Sequence, residues 1–74
     1  MGFSTEGKQK KVEFKIDELS HFMKSQATGI IEYSYLIDEV RSGHEVCFTG
    51  RNGQVFISPV AVNEQSVVVN IITR

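Results

Sequence analysis

The stretch Ser66-Val67-Val68-Val69-Asn70-Ile71-Ile72-Thr73-Arg74 is the most apolar run in this 74-residue chain. Most of its residues are β-branched, which favours a strand over a helix. Successive residues of a strand point to opposite faces, so Val67, Val69 and Ile71 share one face, and Val68 and Ile72 share the other. Both faces are apolar, as in a strand that is covered on both sides.

Only one face of this terminal strand has an evident cover within the chain. Apolar residues that could pack on it lie nearer the N-terminus, at Val12, Phe14, Leu19 and Phe22. A domain this small buries little apolar surface and usually needs a disulfide, a metal or a partner subunit. We therefore predict a homodimer or higher homo-oligomer. We expect its interface to involve the terminal strand, with Val67, Val68, Val69, Ile71 and Ile72 as the candidate interface residues.

The cysteine content and the distribution of apolar residues indicate the compartment in which the protein is expected. The single cysteine, Cys47, allows no intrachain disulfide and is typical of a reducing compartment. No apolar run approaches the roughly 20 residues that a membrane-spanning helix needs. The first residues lack the apolar core of a signal peptide. We expect a cytoplasmic protein with no membrane association.

Local patterns predict the elements of the first half of the chain. Residues 11–16 alternate between charged and apolar side chains, which indicates a half-buried strand. Asp17 is a candidate N-cap for a helix whose apolar stripe includes Leu19. A second helix is expected from about residue 28 to 42, with Gly43 as its C-cap. Residues 30–35 also alternate like a strand, so helix and strand both remain open there.

The second half of the chain predicts strands. Residues 45–49 and 54–58 flank a turn at residues 50–53, and an even-numbered loop places the apolar residues of both strands on one face. In that turn the Asn52-Gly53 pair is a strong hairpin signal, because both residues tolerate positive φ. Pro59 is expected to bend or end its strand.

These elements predict one α+β domain over residues 11–74, preceded by a disordered arm over residues 1–10. The domain is expected to contain a small, mostly antiparallel sheet of about four strands with one or two helices on one face. The predicted order of elements is β-α-α-β-β-β.

The charges are distributed unevenly although the net charge is only −1. The N-terminal region is basic, whereas residues 16–50 are acidic. Candidate nucleic-acid contacts are therefore confined to five basic residues: Lys8, Lys10, Lys11, Lys15 and Arg51. A large nucleic-acid interface would need a more continuous basic surface.

No arrangement typical of a metal, cofactor or catalytic site emerges from the sequence. His21, His44 and Cys47 lack the paired spacing of zinc ligands, so we predict no metal. Cys47 is expected in mid-strand, where a neighbouring base does not converge on it, so we predict no catalytic residue there and expect a partly buried structural cysteine. No glycine-rich phosphate loop is present, and we predict no cofactor. Tyr33 and Tyr35 could stack on bases, but tyrosines more often line the rim of a core or an interface.

Residues 36–55, LIDEVRSGHEVCFTGRNGQV, resemble the N-terminal part of Phd/YefM-type antitoxins. In that family a helix ends in a D-x-V-x-x-G-type stretch, and a strand of the E-V-x-x-T-x-R-x-G kind follows. The order strand, helix, hairpin is shared as well. The resemblance implies a DNA-binding dimer, in which Lys15 and Arg51 would contact phosphates.

Three classes of function follow in order of preference. The first is a small non-enzymatic protein that self-associates and binds, blocks or regulates another macromolecule, most simply a protein partner. The second is a DNA-binding regulator of the Phd/YefM type. The third is a small enzyme whose site forms across a dimer interface from His44, Cys47 or Tyr33.

Overall fold

The sheet runs through the whole domain, and both helices pack on one of its faces. The structure is a computed structural model that describes residues 8–74. Its elements are β1 (Lys8–Lys15), α1 (Ile16–Gln26), α2 (Tyr33–Arg41), β2 (Val46–Gly50), β3 (Gly53–Val62) and β4 (Ser66–Thr73). The four strands are antiparallel and lie in the order β1-β4-β3-β2. The predicted α+β class and the predicted order of elements are confirmed.

The terminal strand, β4, is a central strand of the sheet. It pairs with β1 along its entire length, so that Val69 lies opposite Val12, and it pairs with β3 on its other side. The core forms where its inward residues meet the helices, and Leu19, Met23, Val40, Val67 and Val69 are completely buried there. Burial of each such side chain contributes about 1.5–3 kcal/mol. Phe14 and Phe22 pack at the margin of this core with their ring centroids 5.2 Å apart.

The first helix begins two residues earlier than expected, and its cap differs. Lys15 occupies the N-cap position, and Asp17 lies within the first turn. The prediction of Asp17 as N-cap is therefore wrong. Glu18 supplies the capping contact instead, because its Oε1 accepts a hydrogen bond of 2.9 Å from the backbone N–H of Lys15.

The second helix is shorter than predicted, because it begins at Tyr33 rather than near residue 28. Residues 28–32 form neither helix nor strand. Gly29 has a φ of 89°, and the backbone N–H of Thr28 donates to the carbonyl of Thr49 on the edge strand. These contacts with β2 replace the helical bonds that the stretch would otherwise make. At the other end Ser42 is the C-cap, and Gly43 follows it as the predicted glycine that ends the helix, with a φ of 88° and its N–H bonded to the carbonyl of Val40.

The predicted hairpin is confirmed with a two-residue loop. Gly50 pairs with Gly53, so only Arg51 and Asn52 lie between the strands. Gly53 has a φ of 127°, as its position in the turn predicts. Among residues 8–74 only glycines have positive φ, so Asn52 does not use the positive φ that it tolerates.

Of the two outcomes expected at Pro59, a bend or an end of the strand, the structure excludes the end, because β3 continues through it to Val62. The backbone of Gln54 bonds to that of Arg74 on the β4 side, so by alternation the backbone of Pro59 faces the β2 side. The pairing with β2 ends at Ile57, and the missing N–H of Pro59 therefore faces no strand. A bulge between Pro59 and Ala61 then shifts the register.

The first strand starts three residues before its predicted start at Lys11. Lys8, Gln9 and Lys10 pair with the end of β4, so the expectation that they are disordered is wrong. Residues 11–16 show the strand-like alternation of apolar and charged side chains. The polar residues before them lack this pattern and belong to the strand because they pair with β4. The remainder of the predicted arm, residues 1–7, lies outside the described residues.

Candidate functional site

Within residues 8–74, one face of the sheet carries no helix. We define the open face as the side chains that point away from α1 and α2. It comprises Gln9, Lys11, Glu13 and Lys15 on β1, Val68, Asn70 and Ile72 on β4, Gln54, Phe56 and Ser58 on β3, and Cys47 and Thr49 on β2. The strand register places these residues in rows across the sheet, such as Cys47, Phe56, Ile72 and Gln9.

The centre of the open face is apolar. Phe56 and Ile72 lie directly opposite each other, and Val68 follows further along β4. All three are partly exposed, whereas the alternate residues of β4, Val67, Val69 and Ile71, are buried beneath the helices. The guanidinium carbon of Arg74 lies 5.6 Å from the centroid of the Phe56 ring. This cation–π contact covers part of the ring and places a positive charge at the margin of the apolar centre.

A short polar network borders this centre on the β2 side. The thiol of Cys47 donates to Gln54 Oε1 at 3.3 Å, and Gln54 Nε2 donates to Thr49 Oγ1 at 3.2 Å. All three side chains are exposed. Cys47 therefore lies on the surface beside Phe56, although a partly buried structural cysteine was expected at this position.

The structure divides the five predicted interface residues between two environments. Val67, Val69 and Ile71 belong to the core of the chain itself, where they pack beneath the helices. Val68 and Ile72 lie on the open face with no covering element among residues 8–74. Only these two side chains are placed to contact another molecule, and their role in an interface stays a prediction.

The five basic candidates for nucleic-acid contact do not form one surface. Lys8, Lys10, Lys11 and Lys15 all belong to β1 at one edge of the sheet, whereas Arg51 lies in the turn next to β2 at the opposite edge. Three strand spacings of about 4.8 Å separate the two edges. Glu13 interrupts the basic series on the open face between Lys11 and Lys15.

His44, Cys47 and Tyr33 have different neighbours and are not brought together. His44 Nδ1 lies 3.2 Å from Glu39 Oε1 on the preceding helix. Tyr33 begins α2 and lies under the ammonium group of Lys24, 5.8 Å from the ring centroid. Within residues 8–74 no group of three or more histidine, cysteine or acidic side chains could hold a metal ion.

Tyr33 and Tyr35 do not form the stacking platform that was considered for them. Both lie on α2, and residues two apart on a helix point about 200° away from each other. Tyr33 is partly buried next to α1, whereas Tyr35 is 60% exposed. They lie in the helical layer and away from the open face.

Sequence reasoning missed two residues of the candidate site, Phe56 on the open face and Arg74 at the margin of its apolar centre. Phe56 alternates with the inward residues Val55 and Ile57, and this parity assigns it to the outer face. The signal was therefore present in the sequence. The contact between Arg74 and Phe56 depends on the pairing of β3 with β4, which the sequence does not specify.

Comparisons with family models, with curated proteins and with solved structures give no match for this chain. The resemblance of residues 36–55 to Phd/YefM-type antitoxins therefore stays a hypothesis. Neither helix in residues 8–74 combines the length and the hydropathy that crossing a bilayer requires.

Proposed function

We propose that this chain is a non-enzymatic interaction protein that self-associates and that uses the open face of its sheet to bind another protein. The observation that supports this proposal is the apolar centre formed by Phe56, Val68 and Ile72, over which residues 8–74 place no element. A sheet that is helix-covered on one side commonly keeps its other face polar. Three partly exposed apolar side chains in that position are typical of a contact surface.

The chemistry around the apolar centre favours a protein partner over a nucleic acid. On β1 the flanking charges alternate in sign at Lys11, Glu13 and Lys15, whereas a phosphate backbone requires a surface of one sign. The ring of Phe56 is already in contact with Arg74 and is less available for stacking on a base. An apolar centre with a mixed polar rim is the usual anatomy of a protein–protein interface.

Cys47 allows a direct test, because it is the single cysteine of the chain and lies on the open face beside Phe56. A benzophenone attached to Cys47 through a maleimide should cross-link the protein partner in an extract of the native host. Excess unlabelled wild-type protein should suppress the cross-link. A Phe56→Asp, Ile72→Asp variant that keeps the wild-type circular dichroism spectrum should not suppress it.

The matched control carries the same photoprobe in the helical layer, in a Ser34→Cys, Cys47→Ser variant. Ser34 is exposed on α2, on the other side of the molecule. Equal cross-linking from both positions, or equal competition by the wild-type and substituted proteins, would show that the open face is not the binding surface.

A DNA-binding role is the second candidate, and one observation favours it. The strand register places Lys8 opposite Thr73 and Gln54 beside Arg74, so Lys8, Arg74 and the turn with Arg51 lie at the same end of the sheet. Such a role would be consistent with the Phd/YefM resemblance. A gel-shift series at increasing salt separates the two candidates, because binding through phosphates weakens steeply as salt increases.

A further inference from the structure

The edge strand β1 presents unpaired backbone groups to the outside of the sheet. It is the last strand in the order β1-β4-β3-β2, so within residues 8–74 it has a neighbour on one side only. The backbone N–H of Lys15 points outward, because it donates to Glu18 Oε1, whereas that of Ile16 points inward to Gln65. By alternation the N–H and C=O groups of Gln9, Lys11 and Glu13 also point outward.

We propose that self-association occurs through this edge, where β1 pairs antiparallel with β1 of a second copy about a two-fold axis. The two sheets of four strands would then join into one continuous sheet. The inference rests on the proposed function, since it assigns a surface to the self-association stated there. It leaves the open face free for the protein partner.

Charge favours one register of this pairing over its two neighbours. When Val12 lies opposite the partner's Val12, Lys11 lies opposite the partner's Glu13, and Glu13 lies opposite the partner's Lys11. These residues carry the outward backbone groups, so each of the two pairs exchanges two backbone hydrogen bonds. Directly opposed charges of opposite sign stabilise an antiparallel pair, and like charges destabilise it.

The neighbouring registers with the same backbone alignment lack this complementarity. When the partner strand shifts by two residues in one direction, Lys11 lies opposite the partner's Lys11. A shift in the other direction places Glu13 opposite the partner's Glu13 and Lys11 opposite the partner's Lys15. Of these three registers, only the one centred on Val12 removes every directly opposed like charge. A register centred on Phe14 also opposes Glu13 to the partner's Lys15, but it overlaps only the last three residues of β1.

Glu13 is already held in a suitable position within one chain. Its Oε2 accepts a hydrogen bond of 3.3 Å from the hydroxyl of Ser66. The carboxylate therefore lies over the open face of the sheet, where the partner's Lys11 would also lie. Ser66 engages Oε2 from the β4 side, so Oε1 is the oxygen that meets the partner's Lys11 across the edge.

On the helical side of the sheet, the same register gives a second complementary contact. Lys10 would lie opposite the partner's Phe14, at the mouth of an open groove that the partner forms between its β1 and α1. That groove is lined by Glu13, Phe14, Asp17, Glu18, His21 and Phe22. The aliphatic part of a lysine packs on the aromatic floor of such a groove, while its ammonium group reaches the carboxylates at the rim.

Charge reversal at Lys11 and at Glu13 tests this pairing, because mixing the two variants should restore the dimer that each variant alone loses. Lys11→Glu and Glu13→Lys each place like charges opposite one another in both symmetric pairs, so each variant should dissociate roughly tenfold or more readily than wild type. An equimolar mixture of the two variants restores opposite charges at both positions. The mixture should therefore form a heterodimer with near wild-type affinity, and the double variant should again form a homodimer.

Size-exclusion chromatography with light scattering at tens of micromolar measures these states, and circular dichroism confirms that each variant is folded. A wild-type monomer would overturn the edge pairing and the self-association in the proposed function, but the cross-linking from Cys47 would still test partner binding. Single variants that remain dimers, or two variants that fail to recover on mixing, would overturn the edge pairing alone. A dimer that is lost only in the Phe56→Asp, Ile72→Asp variant would assign self-association to the open face instead.

Discussion

Gly53 lies so close to Arg74 that a Cβ atom at Gly53 would overlap the backbone carbonyl oxygen of Arg74. The same carbonyl accepts a hydrogen bond of 2.9 Å from the backbone N–H of Gln54. The tight turn between β2 and β3 is thereby joined to the end of β4. Glycine is needed at position 53 for this close approach and for its φ of 127°.

Substitution of Gly53 should therefore cost more than a positive φ alone. Gly53→Ala adds backbone strain of about 1–3 kcal/mol and a steric overlap of similar magnitude. Gly29→Ala is the matched control, because Gly29 also has positive φ but a Cβ there would meet nothing within 4 Å. We expect thermal and urea denaturation to show a larger loss of stability for Gly53→Ala, and Gly53→Val to be worse. Equal losses at the two glycines would contradict the close approach to Arg74.

The capping contact of Glu18 predicts a smaller effect at the start of α1. Glu18→Ala removes the acceptor for the Lys15 N–H and should destabilise the fold by about 1 kcal/mol. Asp17→Ala is the control, because Asp17 lies in the same turn and contributes only to the helix dipole, at about 0.3–1 kcal/mol. Urea denaturation of both variants in low and high salt separates the two effects. A larger loss for Asp17→Ala would restore Asp17 as the cap.

The two faces of β4 predict opposite outcomes for one type of substitution. Val69→Asp buries a charge with no partner in the core and should unfold the domain, because Val69 is completely buried. Val68→Asp should leave a folded protein, since Val68 lies on the open face. Circular dichroism decides between these outcomes, and an unfolded Val68→Asp variant would contradict the assignment of its face.

Val68 also has a specific neighbour, Glu13, directly opposite it on β1. Val68→Lys should therefore be more stable than Val68→Asp, by roughly 0.2–1 kcal/mol from the cross-strand pair. Both variants should lose the cross-link of the protein partner from Cys47. Retention of the cross-link in both would show that Val68 does not contribute to the binding surface.

The parts of this fold that could be predicted are those that residues close together in the sequence specify. The alternation of β4, the Gly43 cap and the even hairpin loop are all visible within about ten residues of sequence, and each is confirmed. The errors concern residues whose conformation is set by a distant partner. The strand β3 continues past its predicted end at Ser58 because β2 has already ended beside Pro59. The predicted second helix does not begin near residue 28, where the backbone N–H of Thr28 bonds to β2 and Gly29 has positive φ.

The candidate site was predictable only in part for the same reason. The alternation of side chains along a strand is sufficient to assign Val68 and Ile72 to the face opposite to the core residues of β4. The sequence does not specify that β1 and β3 flank β4, and this pairing brings Phe56 next to Ile72 and Glu13 next to Val68. It also creates the free edge of β1, because that edge exists only once the order of the strands is known.

For nucleic acid we expect no appreciable binding of duplex DNA near physiological salt. The basic residues lie on two opposite edges of the sheet, and Glu13 interrupts the series on β1. A gel-shift titration measures this directly. Submicromolar affinity would favour the DNA-binding role instead. In that case replacement of Lys8, Lys10, Lys11 and Arg51 by glutamine should abolish binding and flatten its salt dependence.

The direction of the backbone along β1 gives a final prediction. The N–H of Lys11 points outward, so Lys11→Pro removes no bond within the chain. This variant should stay folded and lose about 1 kcal/mol of stability because the proline fixes φ. It should be monomeric, because the partner strand no longer receives a hydrogen bond from residue 11 and would collide with the proline ring. Val12→Pro is the matched control. Its N–H points inward to β4, so it should lose about 3 kcal/mol or more of stability. Denaturation curves and light scattering on both variants check the outcome, and a folded Lys11→Pro dimer would exclude pairing of two β1 edges.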